Sequence, residues 1–437
     1  MRARRLIVLI VIAALASLST TSSPLAAPGN FTPIPQTTQI TMLAGTAQQI
    51  SAAGGNQTNP HVMCNIASYT NDDLEGSSTI RYIDYATNTE HVLPGNSLDR
   101  LSDTDGQRIA FTELSDTGDR IFLYDIASQT TALVPGVHNV DPAIGGNLVA
   151  FVQGINPSTL QIGVYDRNTG NVTQLTNDSS VNRDPAVSPD GKFVVWQKCQ
   201  ANGSGCDIYS ATQTGPGAFT TRLLTGAGEE TSPDTNGQLV VYLSDKSGEN
   251  DIYMQRVDGS SEMHLALPGD QRDVRISGNL VVFESKIGTS YDVFLYDLAT
   301  ARLYQVTNTP DASETLSDVV TGCNGLNRIV YAVPGPFGDF DVWGFNFQLN
   351  DSTVDQLNDL IALVQSFDLH DGTETSLISK VQDALVAVNA SDTATACVSL
   401  TAFINASQAQ SGKKLTAAQV GQLISAASQI KTDLGCQ

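Results

Sequence analysis

Short apolar segments that each end in an aromatic residue recur seven times along this chain. The aromatic residues that close them lie about 40–48 positions apart; they are Tyr69, Phe111, Phe151, Trp196, Tyr242, Phe283 and Tyr331. A period of about 40–45 residues filled with strand-forming segments is typical of a β-propeller in which each repeat is one blade. The pattern therefore predicts a mainly β chain folded as a seven-bladed β-propeller.

The fourth repeat shows the strands of one blade most clearly. A short strand precedes a Pro-Asp-Gly turn at 189–191, where Pro presets its own φ and Gly can adopt positive φ. Phe193–Trp196 has the pattern of a buried strand, and Cys206–Ala211 and Thr221–Gly226 follow as the third and fourth strands. Four strands are what one propeller blade requires.

The seventh repeat lacks its outer strand, because no strand pattern follows Phe340–Phe345. Near the other end of the chain, Gln48–Pro60 has the form of Thr173–Pro185, which runs from one repeat into the next. We therefore expect the N-terminal residues to supply the missing strand and to close the ring, which removes exposed sheet edges. The propeller is predicted to span residues 47–347.

Beyond Gln348 the strand pattern gives way to helical spacing over residues 352–437. Apolar residues recur there three and four positions apart, as in the series Leu357, Leu360, Ile361 and Val364. Asp392 and Thr416 are predicted helix starts, and Gly435 follows the last helix. The segment predicts a small all-α bundle of about four helices.

The first 27 residues have the features of a secretory signal peptide. Three arginines precede the apolar stretch Leu6–Leu18, and small residues follow it. Residues 28–46 are predicted to be a short leader. The apolar stretch is short for a membrane span, although an uncleaved anchor is the alternative. No membrane span is expected after signal removal.

The formal net charge of the chain is −22. Such an acidic protein repels phosphate backbones and anionic lipid surfaces. Nucleic acid is therefore excluded as an expected partner. High solubility outside the cell is the simplest consequence of the charge.

The six cysteines all lie beyond the predicted signal, and an even count in an exported chain indicates disulfides. One pair flanks a hairpin-like loop within the fourth repeat, and another lies in the helical segment. The remaining two lie in the first and seventh repeats, which are neighbours if the ring closes. The predicted pairs are Cys64–Cys323, Cys199–Cys206 and Cys397–Cys436.

The repeat sequence DPAVSPDGKFVVW…DIY, in the fourth repeat, resembles the TolB-like propeller repeat, which also occurs in the propellers of prolyl-oligopeptidase-type enzymes. The resemblance covers residues 47–347 and implies a periplasmic or secreted partner-binding protein. Some TolB-like propellers are related to metal-dependent lyases that act on pectate fragments. Residues 352–437, with SFDLHDGTETSLISKVQDALVAV, look like the helical FIMAH domain, which implies export and modular attachment.

A set of polar residues is predicted just before the innermost strands, at the mouth of the propeller channel. Carboxylates there could hold a cation, a basic peptide or sugar hydroxyls. The alternative is structural: each side chain accepts backbone N–H bonds and fixes the turn between blades. The repetition itself favours the structural alternative. The residues are Asn59, Asp99, Asp141, Asp184 and Asp273.

The sequence predicts no catalytic residues, no metal site and no cofactor. It has no G-x-S-x-G nucleophile elbow, and its five histidines are scattered, with only His61 and His138 near the start of an innermost strand. Acidic turns such as Asp103–Gly106 lack the full calcium-loop pattern. We therefore expect an exported, non-catalytic binding protein that docks a protein partner at the channel face. The alternative is a protein that binds a glycan there or acts on it as a lyase.

Overall fold

The computed structural model describes residues 40–436, apart from 52–53, 74, 155, 157–158, 268, 310–311, 324–325, 336–337, 350–352, 366, 368 and 370. The predicted signal peptide and most of the predicted leader therefore lie outside the described residues. Within those residues the strands form seven sheets, arranged as the seven blades of a propeller, and helices follow them. The predicted fold class is confirmed.

Each blade contains four antiparallel strands, described here from the innermost to the outermost. The blades are numbered 1 to 7 along the chain. The innermost strands are β3 (Asn56–Met63), β7 (Asp99–Thr104), β11 (Asn139–Gly145), β15 (Val181–Val187), β19 (Glu230–Thr235), β23 (Gln271–Ser277) and β27 (Thr315–Cys323). The second strands are β4 (Ile66–Asp72), β8 (Arg108–Glu113), β12 (Leu148–Gln153), β16 (Phe193–Cys199), β20 (Leu239–Ser244), β24 (Leu280–Ile287) and β28 (Leu326–Pro334).

The third strands are β5 (Ser78–Asp84), β9 (Arg120–Asp125), β13 (Gln161–Asp166), β17 (Asp207–Gly215), β21 (Asp251–Arg256), β25 (Ser290–Asp297) and β29 (Phe340–Phe347). The outer strands of the first six blades are β6 (Thr89–Val92), β10 (Thr130–Leu133), β14 (Asn171–Gln174), β18 (Ala218–Leu223), β22 (Met263–Leu265) and β26 (Arg302–Gln305). The recurring aromatic residues all lie on second strands and are at most 4% exposed. They pack between neighbouring blades, which explains their period.

The N-terminal residues close the ring. Strand β2 (Gly45–Gln49) pairs antiparallel with β29, from Gly45 opposite Phe347 to Gln49 opposite Trp343. The predicted closure is therefore confirmed. Within the predicted leader, Thr41–Met42 form β1, which adds a fifth, parallel strand to blade 6 beside β26. The N-terminal segment thus spans two blades.

All three predicted disulfides are present: Cys64–Cys323, Cys199–Cys206 and Cys397–Cys436. The first joins blade 7 to blade 1 across 259 residues of sequence, at the seam that β2 also closes. Three disulfides are typical of proteins from oxidising compartments.

The C-terminal part forms four helices in the residues that the structure describes: α1 (Thr353–Gln365), α2 (Asp371–Asn389), α3 (Thr393–Ala409) and α4 (Ala417–Asp433). Asp392 caps α3, and Thr416 caps α4 in a capping box with Gln419. The predicted apolar stripes meet in one core, where Leu357, Leu360 and Val364 are at most 1% exposed. Arg302 on blade 6 pairs with Asp359 on α1 at 2.8 Å. Among the described helices, none is long and apolar enough to cross a membrane.

Candidate functional site

The seven innermost strands surround a central channel with a volume of about 560 Å³. Two successive rings of side chains line it, because alternate residues of a strand share one face. We call the first the upper ring: Asn59, Leu101, Asp141, Asp184, Ser232, Asp273 and Leu316. The lower ring lies two residues further along each strand: His61, Asp103, Ala143, Ala186, Asp234, Arg275 and Asp318.

The upper ring follows from a backbone irregularity that every blade shares. Each innermost strand contains a shift of register against its second strand, for example between Val140 and Ala143. At each shift the upper-ring residue has a positive φ of 51–56°. Asn and Asp tolerate this left-handed conformation better than most residues. The repetition of Asn and Asp in the sequence therefore has a conformational cause.

Four of the five predicted site residues belong to the upper ring, and Asp99 does not. The equivalent residue in blade 2 is Leu101, which has a φ of 51°. Asp99 lies two residues earlier and is 0% exposed, so it does not reach the channel. It belongs to a set of seven buried polar residues at the start of the innermost strands: Gln57, Asp99, Asn139, Asn182, Glu230, Gln271 and Glu314. Burial, followed by the charge of Glu113, raises the pKa of Asp99 to about 6.

The carboxylates of the upper ring differ in how many contacts hold them. Asp273 Oδ2 accepts hydrogen bonds from Thr315 Oγ1 (3.2 Å) and the Leu316 backbone N–H (3.4 Å) of the next blade. Asp184 is 47% exposed, with Arg183 Nε 3.7 Å from its Oδ2. When the Gln197 amide is oriented to satisfy its neighbours, it also donates to Asp184 (2.8 Å). The half-buried Asp141 side chain has no hydrogen bond to another described residue.

The lower ring contains three aspartates that link neighbouring blades. Asp103 Oδ2 accepts the backbone N–H of Ile144 at 2.7 Å, and Asp234 Oδ2 accepts that of Ile276 at 2.8 Å. Asp318 Oδ2 accepts the backbone N–H of Val62 at 2.8 Å, across the seam where the ring closes. We did not predict these residues from the sequence. The signal was present, since each lies two positions beyond the upper-ring residue of its repeat.

His61 and Arg275 complete the charged part of the lower ring. His61 Nδ1 lies 3.6 Å from Asp103 Oδ1 and 3.7 Å from Asp318 Oδ2. Burial, reinforced by Arg275, nevertheless lowers the pKa of His61 to about 3, so the imidazole is neutral at neutral pH. Burial opposes the charge of Arg275, but the surrounding aspartates, Asp234 first, raise its pKa overall.

The channel carboxylates are hard to ionise. Burial raises the pKa of Asp103 to about 8 and that of Asp318 to about 7. Burial, followed by the charge of Asp184, raises the pKa of Asp141 to about 7. Loss of hydration inside the channel also raises the pKa of Asp234 and, although its side chain is 47% exposed, that of Asp184. A positive group placed beside these carboxylates would therefore be attracted strongly and would favour their ionised forms.

In the described part of the chain, no group of three His, Cys, Asp or Glu side chains is placed to hold a metal ion. His138 does not join His61 in the channel. It lies one residue before β11, with a φ of 58°, outside the two rings.

Part of the repeat region is similar in sequence to a known protein. A TolB homologue of Chlorobaculum tepidum is 30% identical to this chain over 138 residues, and the match covers 29% of this chain and 28% of that protein. The matched part of the repeat region is therefore similar to TolB. The chain thus spans just over a quarter of the length of the curated relative it matches. No family model matches the chain.

Solved structures are similar to the TolB-like propeller in fold. The β-propeller domain of the trilobed protease from Pyrococcus furiosus, which has an open velcro topology, has a TM-score of 0.52 and 13% identity, over 68% of this chain and 99% of that one. The acylaminoacyl peptidase of Pyrococcus horikoshii has a TM-score of 0.51 and 14% identity, over 68% of this chain and 53% of that one. These likenesses concern the fold. The FIMAH resemblance of the helical bundle stays a prediction.

Proposed function

We propose that this TolB-like protein is an exported, non-catalytic scaffold that docks a segment of a protein partner at the mouth of its channel. The segment carries a lysine or arginine side chain that enters the upper ring. The observation that carries the proposal is the pair Asp141 and Asp184, two neighbouring carboxylates on adjacent blades. Each faces the channel, and the charge of Asp184 raises the pKa of Asp141.

Two adjacent carboxylates repel each other unless a cation lies between them. The lower-ring aspartates are already engaged by backbone N–H groups of the next blade. The Asp141 backbone N–H donates to Thr112 Oγ1 (3.1 Å), but its carboxylate makes no hydrogen bond to another described residue and is therefore available to a partner. Arg183 and Arg275 are the positive side chains that line the channel, and the six aspartates there outnumber them. The site therefore favours a basic group over an acidic or neutral one.

The net charge of the whole chain also favours a basic partner. A protein with a net charge of −22 attracts a basic segment over a distance and accelerates its encounter with the channel mouth. The match to the acylaminoacyl peptidase covers 53% of that chain, so peptidase activity is not carried to this protein. Secretion rests on the predicted signal peptide, and the three disulfides support it.

The test replaces the carboxylates of Asp141 and Asp184 by their neutral isosteres. Asp141→Asn/Asp184→Asn keeps the left-handed backbone, because Asn tolerates positive φ as Asp does. Peptides are selected by phage display against the purified protein, and their affinities are measured by fluorescence anisotropy. We expect the selected peptides to be rich in Lys and Arg and to bind the double variant at least about tenfold more weakly.

The matched control is Asp383→Asn, which removes one charge from an exposed position on α2 and should leave peptide affinity unchanged. Selected peptides without basic residues would contradict the proposal. Basic peptides that bind the double variant as tightly as the native protein would contradict it too.

A further inference from the structure

A second cavity, of about 540 Å³, lies away from the channel at the seam between blades 4 and 5. Blade 4 has a long outer hairpin, with nine residues in β17 and six in β18, whereas β22 of blade 5 has three. The longer hairpin extends beyond the neighbouring blade that would cover it. The face left uncovered forms one wall of a groove, and Gly237, Val257 and Asp258 of blade 5 form the other.

The strand register shows which side chains form the wall of this seam groove. Val195, Ser210 and Arg222 lie opposite one another across the three outer strands of blade 4. The next row on the same face is Phe193, Thr212 and Thr220. The wall is thus rich in hydroxyl groups over a buried aromatic floor, with one guanidinium beside them.

Ser210 is the first groove residue whose side chain is placed to bind a ligand. Its side chain lines the groove, and the residue is only 2% exposed. Its hydroxyl has no hydrogen bond to any other described residue. The hydroxyl oxygen is not itself buried but opens into the groove, and a hydroxyl can both donate and accept hydrogen bonds. It is therefore placed to bond a ligand that enters the groove.

Arg222 is the second groove residue whose side chain is placed to bind a ligand. Its Nη1 donates to the backbone oxygen of Asp258, and among the described residues no carboxylate lies within 4 Å of its guanidinium. The Asp258 carboxylate is instead bonded to Ser260, through its backbone N–H (2.9 Å) and hydroxyl (2.5 Å). The other cation of the groove, Lys192, already pairs with Asp190 at 3.2 Å. Asp258 keeps its negative charge and acts on Arg222 without direct contact. Among the described residues, Arg222 is thus the groove cation that can take a direct carboxylate contact from a ligand.

We propose that the seam groove binds a singly charged sugar acid, such as a uronic acid residue. Its carboxylate pairs with Arg222, and its hydroxyl groups bond Ser210, Thr212 and Thr220. Hydroxyl side chains both donate and accept, which suits sugar hydroxyls, and a guanidinium matches a carboxylate. The volume is ample for one or two sugar rings. Because the chain carries a net charge of −22, long polyanions are repelled and a short ligand with one charge is favoured.

The probes are glucuronate, which has a carboxylate, and glucose, which has none. Binding is measured by ligand-observed NMR. We expect glucuronate to bind with a dissociation constant on the order of 1–10 mM and glucose to bind more weakly. Arg222→Gln should weaken glucuronate binding at least about tenfold. Arg100→Gln, on an exposed arginine of blade 2 outside the groove, should leave it unchanged.

Ser210→Ala separates recognition from folding. Because its hydroxyl makes no hydrogen bond in the described structure, the change should not lower the free energy of unfolding, yet it should weaken glucuronate binding about two- to fivefold. The channel variant Asp141→Asn/Asp184→Asn should bind glucuronate normally. The proposal is overturned if glucuronate shows no saturable binding, if Arg222→Gln binds it as the native protein does, or if the channel variant loses it.

Discussion

The upper and lower rings of the channel contain the same residue type in two different situations. Upper-ring aspartates occur where the backbone needs a residue that tolerates positive φ, and the Asp141 carboxylate forms no hydrogen bond to another described residue. Lower-ring aspartates bond the backbone of the next blade, as Asp318 does with Val62. Asp273 of the upper ring also bonds the next blade, so the contrast is clearest between Asp141 and the three lower-ring aspartates. Exposure to a channel alone does not identify a binding residue.

The largest effect is expected where the lower ring meets the closing seam. Replacing the disulfide by Cys64→Ser/Cys323→Ser removes the covalent link between blades 7 and 1 and should lower the free energy of unfolding by about 2–4 kcal/mol. Chemical denaturation measures it. The exposed-helix variant Asp383→Asn is the control and should not change it. An unchanged value would mean that β2 and the Asp318 bond close the ring by themselves.

The next effect tests the structural role of the lower ring directly. Asp318→Ala removes the acceptor of the Val62 N–H (2.8 Å) and of its own neighbour Val319 (2.8 Å). Leaving these groups unpaired should lower the free energy of unfolding by about 1–3 kcal/mol. Asp103→Ala, at a seam that no disulfide crosses, should cost a similar amount. A loss well below 1 kcal/mol in both variants would show that the lower-ring aspartates do not hold the blades together.

A smaller effect distinguishes backbone from charge in the upper ring. Asp141→Ala puts a residue without a stabilising side chain at a φ of 54° and should cost about 1 kcal/mol. Asp141→Asn should cost much less, while it removes the same charge. Thermal or chemical unfolding of the two variants makes the comparison. Equal losses would show that the carboxylate itself stabilises the fold.

The last prediction concerns the pH dependence of stability above pH 6.5. The folded pKa values of Asp103 (about 8), Asp141 (about 7) and Asp318 (about 7) exceed the ordinary value of 3.8. The folded state therefore keeps protons that the unfolded state has lost. Stability falls as pH rises from about 4, and the fall ends once the folded pKa values of about 7 to 8 have been passed. His61, with its lowered pKa of about 3, has the opposite effect only below pH 6.5.

Unfolding by denaturant at pH 6.5 and pH 8.5 measures this dependence. Asp141→Asn should reduce the fall, because one titrating carboxyl is removed. A native protein that is equally stable at both values would show that the channel aspartates are already ionised at pH 6.5.

Most of the fold could be predicted because its signals are local and repeated. The aromatic residues recur because each fills the same place between two blades, and the missing seventh strand had a visible counterpart near the N-terminus. The site could be predicted only in part. Asp99 seemed equivalent to Asp141, but counting along the repeat cannot show where a strand shifts register. The lower-ring aspartates were missed because their partners, Ile144, Ile276 and Val62, belong to the next blade.

The order of strands, the seven blades, the closure and the disulfide pairs were determined by the sequence itself, because hydrophobic period and cysteine position constrain them directly. The division of the channel into two rings was decided by the tertiary structure. So was the groove beside Ser210 and Arg222, which exists because one blade's hairpin is longer than its neighbour's. Both depend on how separate repeats face each other across a seam, and no single repeat contains that information.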